Sequence, residues 1–322
     1  MPSPIQLNPV TNGVSIPRLD GYRNVSTSVG ASGEAIRLWV NDGTTETVFA
    51  TEKQPGGASF PKSHTKQAYS ARALITTKWG TVDHELPFMA ATFPQVQTLP
   101  GDDLLVVASR CQRFKDGTHE MNARVYSADG SIECEFCLGD GIEHLQADSE
   151  GRIWVGYFDE GIFGNNGWGS SGGAAPLGSA GLVCYDRRGN KVWAYDAPSG
   201  FDSMADCYAL NVAKDGVWTC YYTEFPIVRI DSRFHGRGWG TTLRGARELA
   251  VSGDSVLVYG GYREHRTDCK LIRLGDREAE EVAEVQLHLP VEVKLQESTV
   301  IGRDGLLHVF AEDHWFMFTP ER

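Results

Sequence analysis

One short phrase recurs along this chain and constrains its fold more than any other feature. It is an alternating run, a tight turn at Asp or Gly, then a dense apolar strand. The phrase reads Leu145-Gln-Ala-Asp-Ser-Glu-Gly-Arg-Ile-Trp-Val-Gly156, then Leu210-Asn-Val-Ala-Lys-Asp-Gly-Val-Trp-Thr-Cys220, then Thr299-Val-Ile-Gly-Arg-Asp-Gly-Leu-Leu-His-Val309. Looser copies begin at Thr27, Thr98 and Leu249. A strand pair of this kind cannot bury its apolar face alone, so copies must stack. A strand-built repeat of about 40–50 residues is the signature of a β-propeller. The reversals fall near Gly33, Asp103, Gly151, Gly216, Asp254 and Gly305, which predicts six blades. The two longest intervals contain insertions at 51–68 and 158–181.

From Gly305 round through the termini to Gly33 is again about 50 residues, one blade's worth. The expectation is therefore a single all-β domain over 1–322, a six-bladed β-propeller closed by N- and C-terminal strands sharing the last blade. In this reading residues 5–10 supply the outer strand beside Trp315-Phe-Met-Phe318. Strand–turn–strand patterns at 124–134 and 182–193 read as outer hairpins, with Gly130 and Gly189 at the turns. Helical periodicity is nearly absent. Even Asp276-Arg-Glu-Ala-Glu-Glu-Val-Ala-Glu284 reads as a turn leading into an outer strand.

A net charge of −12, with no Lys/Arg cluster interleaved with aromatics, argues against nucleic acid and anionic membranes as partners. No apolar run reaches the length of a membrane span. The opening Met-Pro-Ser-Pro-Ile lacks the basic and apolar regions of a signal peptide. Seven cysteines, an odd number, lie mostly in apolar strand runs, as expected of a reducing compartment. A cytoplasmic location is the expectation. Cys134-Glu-Phe-Cys137 matches C-x-x-C, but residues three apart on a strand face opposite ways, so packing is its reading.

The run Asp148-Ser-Glu-Gly-Arg-Ile-Trp-Val-Gly156 resembles the propeller-like repeat of two-component regulators. The same turn-plus-strand grammar is similar to that of NHL and gluconolactonase-like six-bladed propellers. The resemblance covers one blade well and three loosely, and it implies the fold. The paired Gly-His and Trp-Asp of WD40 repeats are missing.

In a propeller the first strand of each blade lines the central channel, so one register position recurs at its mouth. Aligning the turns places Asn24, Gln95, Glu143, Tyr208, Arg247 and Glu297 there. Blades three and six oppose in a six-fold ring, which would set Glu143 across from Glu297 and Gln95 across from Arg247. The loops after the second strands add Arg110; Tyr157, Asp159 and Glu160; Tyr222 and Glu224; Tyr262 and Arg263; and Glu312, Asp313 and His314. The glycine-rich insertion, with Phe163 and Trp168, is placed as a lid, and 51–68, with Phe60, Lys62, His64 and Lys66, as a second flap.

Two functions fit this pattern. One is recognition of a small polar ligand, glycan or protein segment at the channel mouth. The other is a metal-assisted hydrolase, lactonase or lyase at the same place, with Glu143, Glu297 and His144 as catalytic candidates and a divalent cation such as Ca²⁺. Gluconolactonase-like propellers hold such a cation with a Glu, an Asn and an Asp from separate inner strands. The resemblance gives Glu143 or Glu297 the Glu part and Asn24 or Asn211 the Asn part, while Asp206 lies ahead of the register. Strand alternation points His144 into the gap between blades when Glu143 faces the channel. Gly169-Ser-Ser171-Gly-Gly173 matches the nucleophile-elbow pattern, but it lies in a loop rather than at a strand-to-helix turn.

Overall fold

The computed structural model describes residues 4–11, 13–53, 57, 59–169, 173–290 and 294–320. The chain divides into two compact units, Pro17–Tyr195 and Met1–Ile16 with Asp196–Arg322, each described here by itself. Each holds three sheets built on antiparallel strands laid down from the first strand outward, the fifth and sixth sheets each gaining an N-terminal strand, and these six sheets are the blades of a β-propeller.

In Pro17–Tyr195 the first sheet comprises Tyr22–Val29, Ala35–Asn41, His64–Thr77 and Gly80–Ala91. The second comprises Pro94–Leu99, Asp103–Ala108, Ala123–Tyr126 and Ile132–Phe136. The third comprises Ile142–Ala147, Ile153–Tyr157, Leu182–Tyr185 and Lys191–Ala194. First strands of neighbouring sheets lie against one another and share polar contacts. Ser28 Oγ donates to Val96 O, and the Gln97 amide links Val29 O to the Ala147 N–H at 3.5 and 3.2 Å. A core of Ile36, Leu38, Val40, Leu86, Val96, Leu104 and Tyr126 fills the space between the first two sheets.

In the other unit the fourth sheet is Asp206–Ala213, Gly216–Tyr222, Ile227–Ile230 and Gly236–Trp239. The fifth is Glu248–Ser252, Ser255–Tyr259, Cys269–Leu274 and Ala279–Leu287, and the sixth is Thr299–Arg303, Leu306–Ala311 and His314–Phe318 plus an N-terminal strand. Residues 5–10 do not run beside Trp315–Phe318 as one strand, although the Val10 N–H donates to Met317 O at 2.8 Å. Ile5–Leu7 runs parallel to Ala279–Leu287 on the fifth sheet's edge, and Val14–Ser15 pairs antiparallel with Trp315 and His314. The break follows from Pro9, which has no N–H to continue a ladder, so the chain leaves one sheet before joining the next.

The recurring turn has a local cause. Asp148 Oδ1 accepts the N–H groups of Glu150 and Arg152, at 3.0 and 2.9 Å, and its other oxygen takes the Arg152 guanidinium. Gly151 sits within that turn at φ +81°, where a side chain would be strained. The same carboxylate device recurs at Asp186 and Asp231 in outer hairpins.

Candidate functional site

Inside the unit containing residues 196–320, four rings from two neighbouring sheets meet. Tyr208 lies near the start of the fourth sheet's first strand, Tyr222 ends its second strand, and Phe225 lies in the loop that follows. Tyr262 follows the second strand of the fifth sheet. The Tyr208 ring lies edge-on to Phe225 at 4.9 Å and to Tyr262 at 6.0 Å, and Phe225 also contacts Tyr222 at 5.9 Å. The Tyr262 hydroxyl donates to the Tyr208 hydroxyl at 3.0 Å. Burial, with that hydroxyl pair, pushes the Tyr208 phenol up.

The floor of this cluster is fixed and its top is open. Phe225 is buried, held at φ +56° in a turn whose N–H donates to Tyr221 O and whose carbonyl accepts the Thr241 hydroxyl. Such a φ is costly for an aromatic residue and holds only where its surroundings dictate it. Tyr222 and Tyr262, by contrast, are 45% and 43% exposed. Arg247 is exposed at the start of the fifth sheet and electrostatically favours an ionised Tyr208. Asp206 acts on Tyr208 in the opposite sense. Glu224 and Arg263 are exposed in the two loops, Arg263 at φ +54°. Tyr208, Tyr222, Glu224, Arg247 and Arg263, all chosen from the sequence, thus belong to adjoining segments of one unit.

The other unit places its expected residues differently. Gln95 is half-buried, and its amide donates to Ser109 Oγ, Ile142 O and Glu143 O at 3.1–3.3 Å, tying the second sheet to the third. Glu143 is exposed and occupies a β-bulge, where the pairing skips from Ile142 to His144. A bulge breaks strict alternation, so the argument that sent His144 into the blade gap fails there. Tyr208 and Val25 hold the equivalent bulges in the fourth and first sheets. Asn24 is consumed in its bulge: it donates to Ser26 O and Leu38 O and accepts from Thr27 Oγ1.

Arg110 and Tyr157 are not rim residues. Arg110 is 5% exposed and makes a bidentate pair with Asp140 at 2.9 and 3.0 Å, with Glu160 at 2.6 Å on its remaining nitrogen. Burial pushes the Asp140 carboxyl up, opposed by the guanidinium beside it. Tyr157 is wholly buried, bonded to Leu138 O and the Tyr185 hydroxyl. Their places at the ends of second strands made these positions look like rim ligands, but their polar atoms are used internally.

The expected lid is partly docked. Asp159–Phe163 forms a short helix, with Asp159 exposed and accepting the Glu160 N–H. Phe163 is 66% exposed, but Trp168 is 5% exposed, its indole donating to Cys111 O and its ring against His119. Asn166 O accepts from Arg113 N and the Gln112 amide. Ser171 of the elbow-like motif lies outside the described residues. In the other insertion, Thr51–Lys53 pairs with Ser59–Pro61, while His64 and Lys66 belong to the first sheet's third strand; Gly56 lies outside the described residues.

Glu297 is exposed in a 3-10 turn, 3.5 Å from Lys294, and His314 pairs with Asp313 at 2.8 Å and stacks on Phe316. Glu143 and Glu297, like Gln95 and Arg247, belong to different units. Among the described residues no three His, Cys, Asp or Glu side chains converge to hold a metal ion. Asn211, one of the Asn candidates, is fully buried and donates to Leu249 O and Asp304 O.

Comparison with known proteins gives a limited likeness. Residues 177–311 match the YxzG family model. No curated protein matches the chain. Among solved structures, a catalytically inactive virginiamycin B lyase from Staphylococcus aureus with quinupristin is similar at 12% identity and a TM-score of 0.47, covering 95% of this chain and 98% of that one. Hsv2 of Kluyveromyces lactis is similar at 10% identity and a TM-score of 0.49, covering 94% of this chain and 74% of that one. YCF48 bound to D1 peptide is similar at 11% identity and a TM-score of 0.44, covering 95% of this chain and 99% of that one.

Proposed function

We propose that this propeller is a recognition module that takes a peptide segment on the Tyr208–Tyr222–Phe225–Tyr262 shelf. The observation that carries this reading is the pairing of two exposed tyrosine faces with a rigid buried ring beneath them. Tyrosine offers contact area and a hydroxyl for little ordering entropy, and Tyr and Arg dominate the residues that carry binding energy in interfaces. Arg247 and Arg263 flank the shelf, and neither is held by a carboxylate of the described chain. Their free guanidinium groups favour a peptide with an acidic residue beside its aromatic or aliphatic anchor.

The test uses the full-length chain and fluorescein-labelled short peptides that each carry one aromatic and one acidic residue, read by polarisation. Tyr222→Ala and Arg247→Ala should each weaken capture tenfold or more, about 1.4 kcal/mol, without lowering thermal stability, since both side chains are exposed. Glu143→Gln with Glu297→Gln should leave capture unchanged. Loss of capture in that double variant, with the shelf variants unaffected, would move the site to the channel mouth.

A further inference from the structure

Two cysteines far apart in sequence meet in the second sheet's loops. Cys111 follows the second strand and Cys137 follows the fourth, and their sulfurs are 3.6 Å apart. The approach is built into the backbone. Asn122 bridges both segments, donating to Ala108 O and Gly139 O at 2.9 Å each and accepting the Leu138 N–H at 2.8 Å. Cys111 is further held by its N–H on Asp140 and its carbonyl under the Trp168 indole. The two sulfurs differ in setting. Cys111 is wholly buried, whereas Cys137 is half-buried and accepts the Gly139 N–H at 3.4 Å.

We infer that Cys111 and Cys137 are a reversible dithiol–disulfide couple, a modification site in which Cys137 is the attacking sulfur and Cys111 the resolving one. The contact is too long for a bond, since a disulfide spans about 2.05 Å, so oxidation draws the two loops together. The contact with Cys111 and the Gly139 N–H lower the Cys137 thiol against its own burial. The same arrangement and burial push Cys111 up. His119 favours the Cys137 thiolate and Glu120 opposes it. A low-pKa, partly accessible thiol beside a resolving partner is the setting in which sulfenic acid forms and is captured.

With hydrogen peroxide as oxidant, the Cys137 thiolate attacks one peroxide oxygen. The S–O bond forms, the O–O bond breaks, and the departing hydroxide takes a proton to become water. Cys111 sulfur then attacks Cys137 Sγ, forming S–S and breaking S–O, and the second hydroxide leaves as water with the Cys111 proton. Two thiols lose two electrons in all, and one peroxide becomes two waters.

The full-length reduced protein is titrated with hydrogen peroxide, alkylated, digested without reductant and mapped by mass spectrometry. The expected product links the Cys111 and Cys137 peptides, lighter by two hydrogen atoms, and a dithiol reductant restores both thiols. Cys134→Ser should form the same link. Cys111→Ser should instead accumulate a dimedone-reactive Cys137. A Cys134–Cys137 link, or Cys137 oxidised while Cys111 stays free in the wild-type chain, would overturn the assignment. The wild-type map decides the matter even where a variant does not fold.

Discussion

His308 shows how much a single buried side chain can set. It is 1% exposed, its Nδ1 accepts the Trp315 indole N–H at 3.0 Å, and its ring stacks on that indole. Burial, with Arg303 nearby, lowers its imidazole to about 3. An unfolded imidazole takes up its proton near about 6.5. Between those values the unfolded chain binds more protons than the folded one, so stability falls as pH drops through that window. His308→Gln keeps an acceptor for Trp315 and removes the titration. Urea melts across the window should show a flatter pH slope than wild type; an equal slope would place the titration elsewhere. Arg110 makes a second residue-scale prediction. Arg110→Met leaves Asp140 buried beside Glu160 without its cation, at a cost of about 3–5 kcal/mol. Adding Asp140→Asn should recover part of that loss in denaturant melts, and a further equal loss would mean the pair is not coupled. Neither role was legible beforehand. Sequence registers Arg110 and Tyr157 as polar or aromatic residues at strand ends, and only three-dimensional packing shows that Asp140, Leu138 and Tyr185 already occupy their polar atoms.

At the scale of elements, the Asp/Gly turns were legible because they are local chemistry. The Asp148 carboxylate and the positive φ of Gly151 act within four residues. The bulges were not legible, since an extra residue at Glu143 or Tyr208 is defined by the partner strand's spacing rather than by its own composition. The N-terminal strands failed for a related reason: residues 5–7 and 14–15 suit either sheet edge, and Pro9 decides the division between them. Gly302 gives a test of how closely first strands pack. A Cβ there would meet Leu249 O at 2.0 Å, while the Gly302 N–H donates to Glu248 at 2.7 Å. Gly302→Ala must therefore force the fifth and sixth sheets apart. A loss of about 1–3 kcal/mol is expected from such overpacking, read as a lower urea midpoint; an unchanged midpoint would contradict that close approach.

For the molecule as a whole, the repeat was enough to count six sheets, because every blade must solve the same burial problem with the same strand–turn–strand unit. Function was less legible. The aromatic and charged residues at strand ends were visible, but which of them stay open depends on loop packing. Tyr222 and Tyr262 remain exposed, while Trp168 is docked on Cys111 and Tyr157, at the end of the third sheet's second strand, is wholly buried. The central claim is that ligand capture belongs to that exposed shelf. The most direct measurement is ¹⁹F NMR of the full-length chain labelled with 3-fluorotyrosine during titration with the aromatic–acidic peptides. The resonances of Tyr208, Tyr222 and Tyr262 should move together while those of Tyr157 and Tyr185 stay fixed. Peptide binding that leaves all three shelf resonances in place would contradict it.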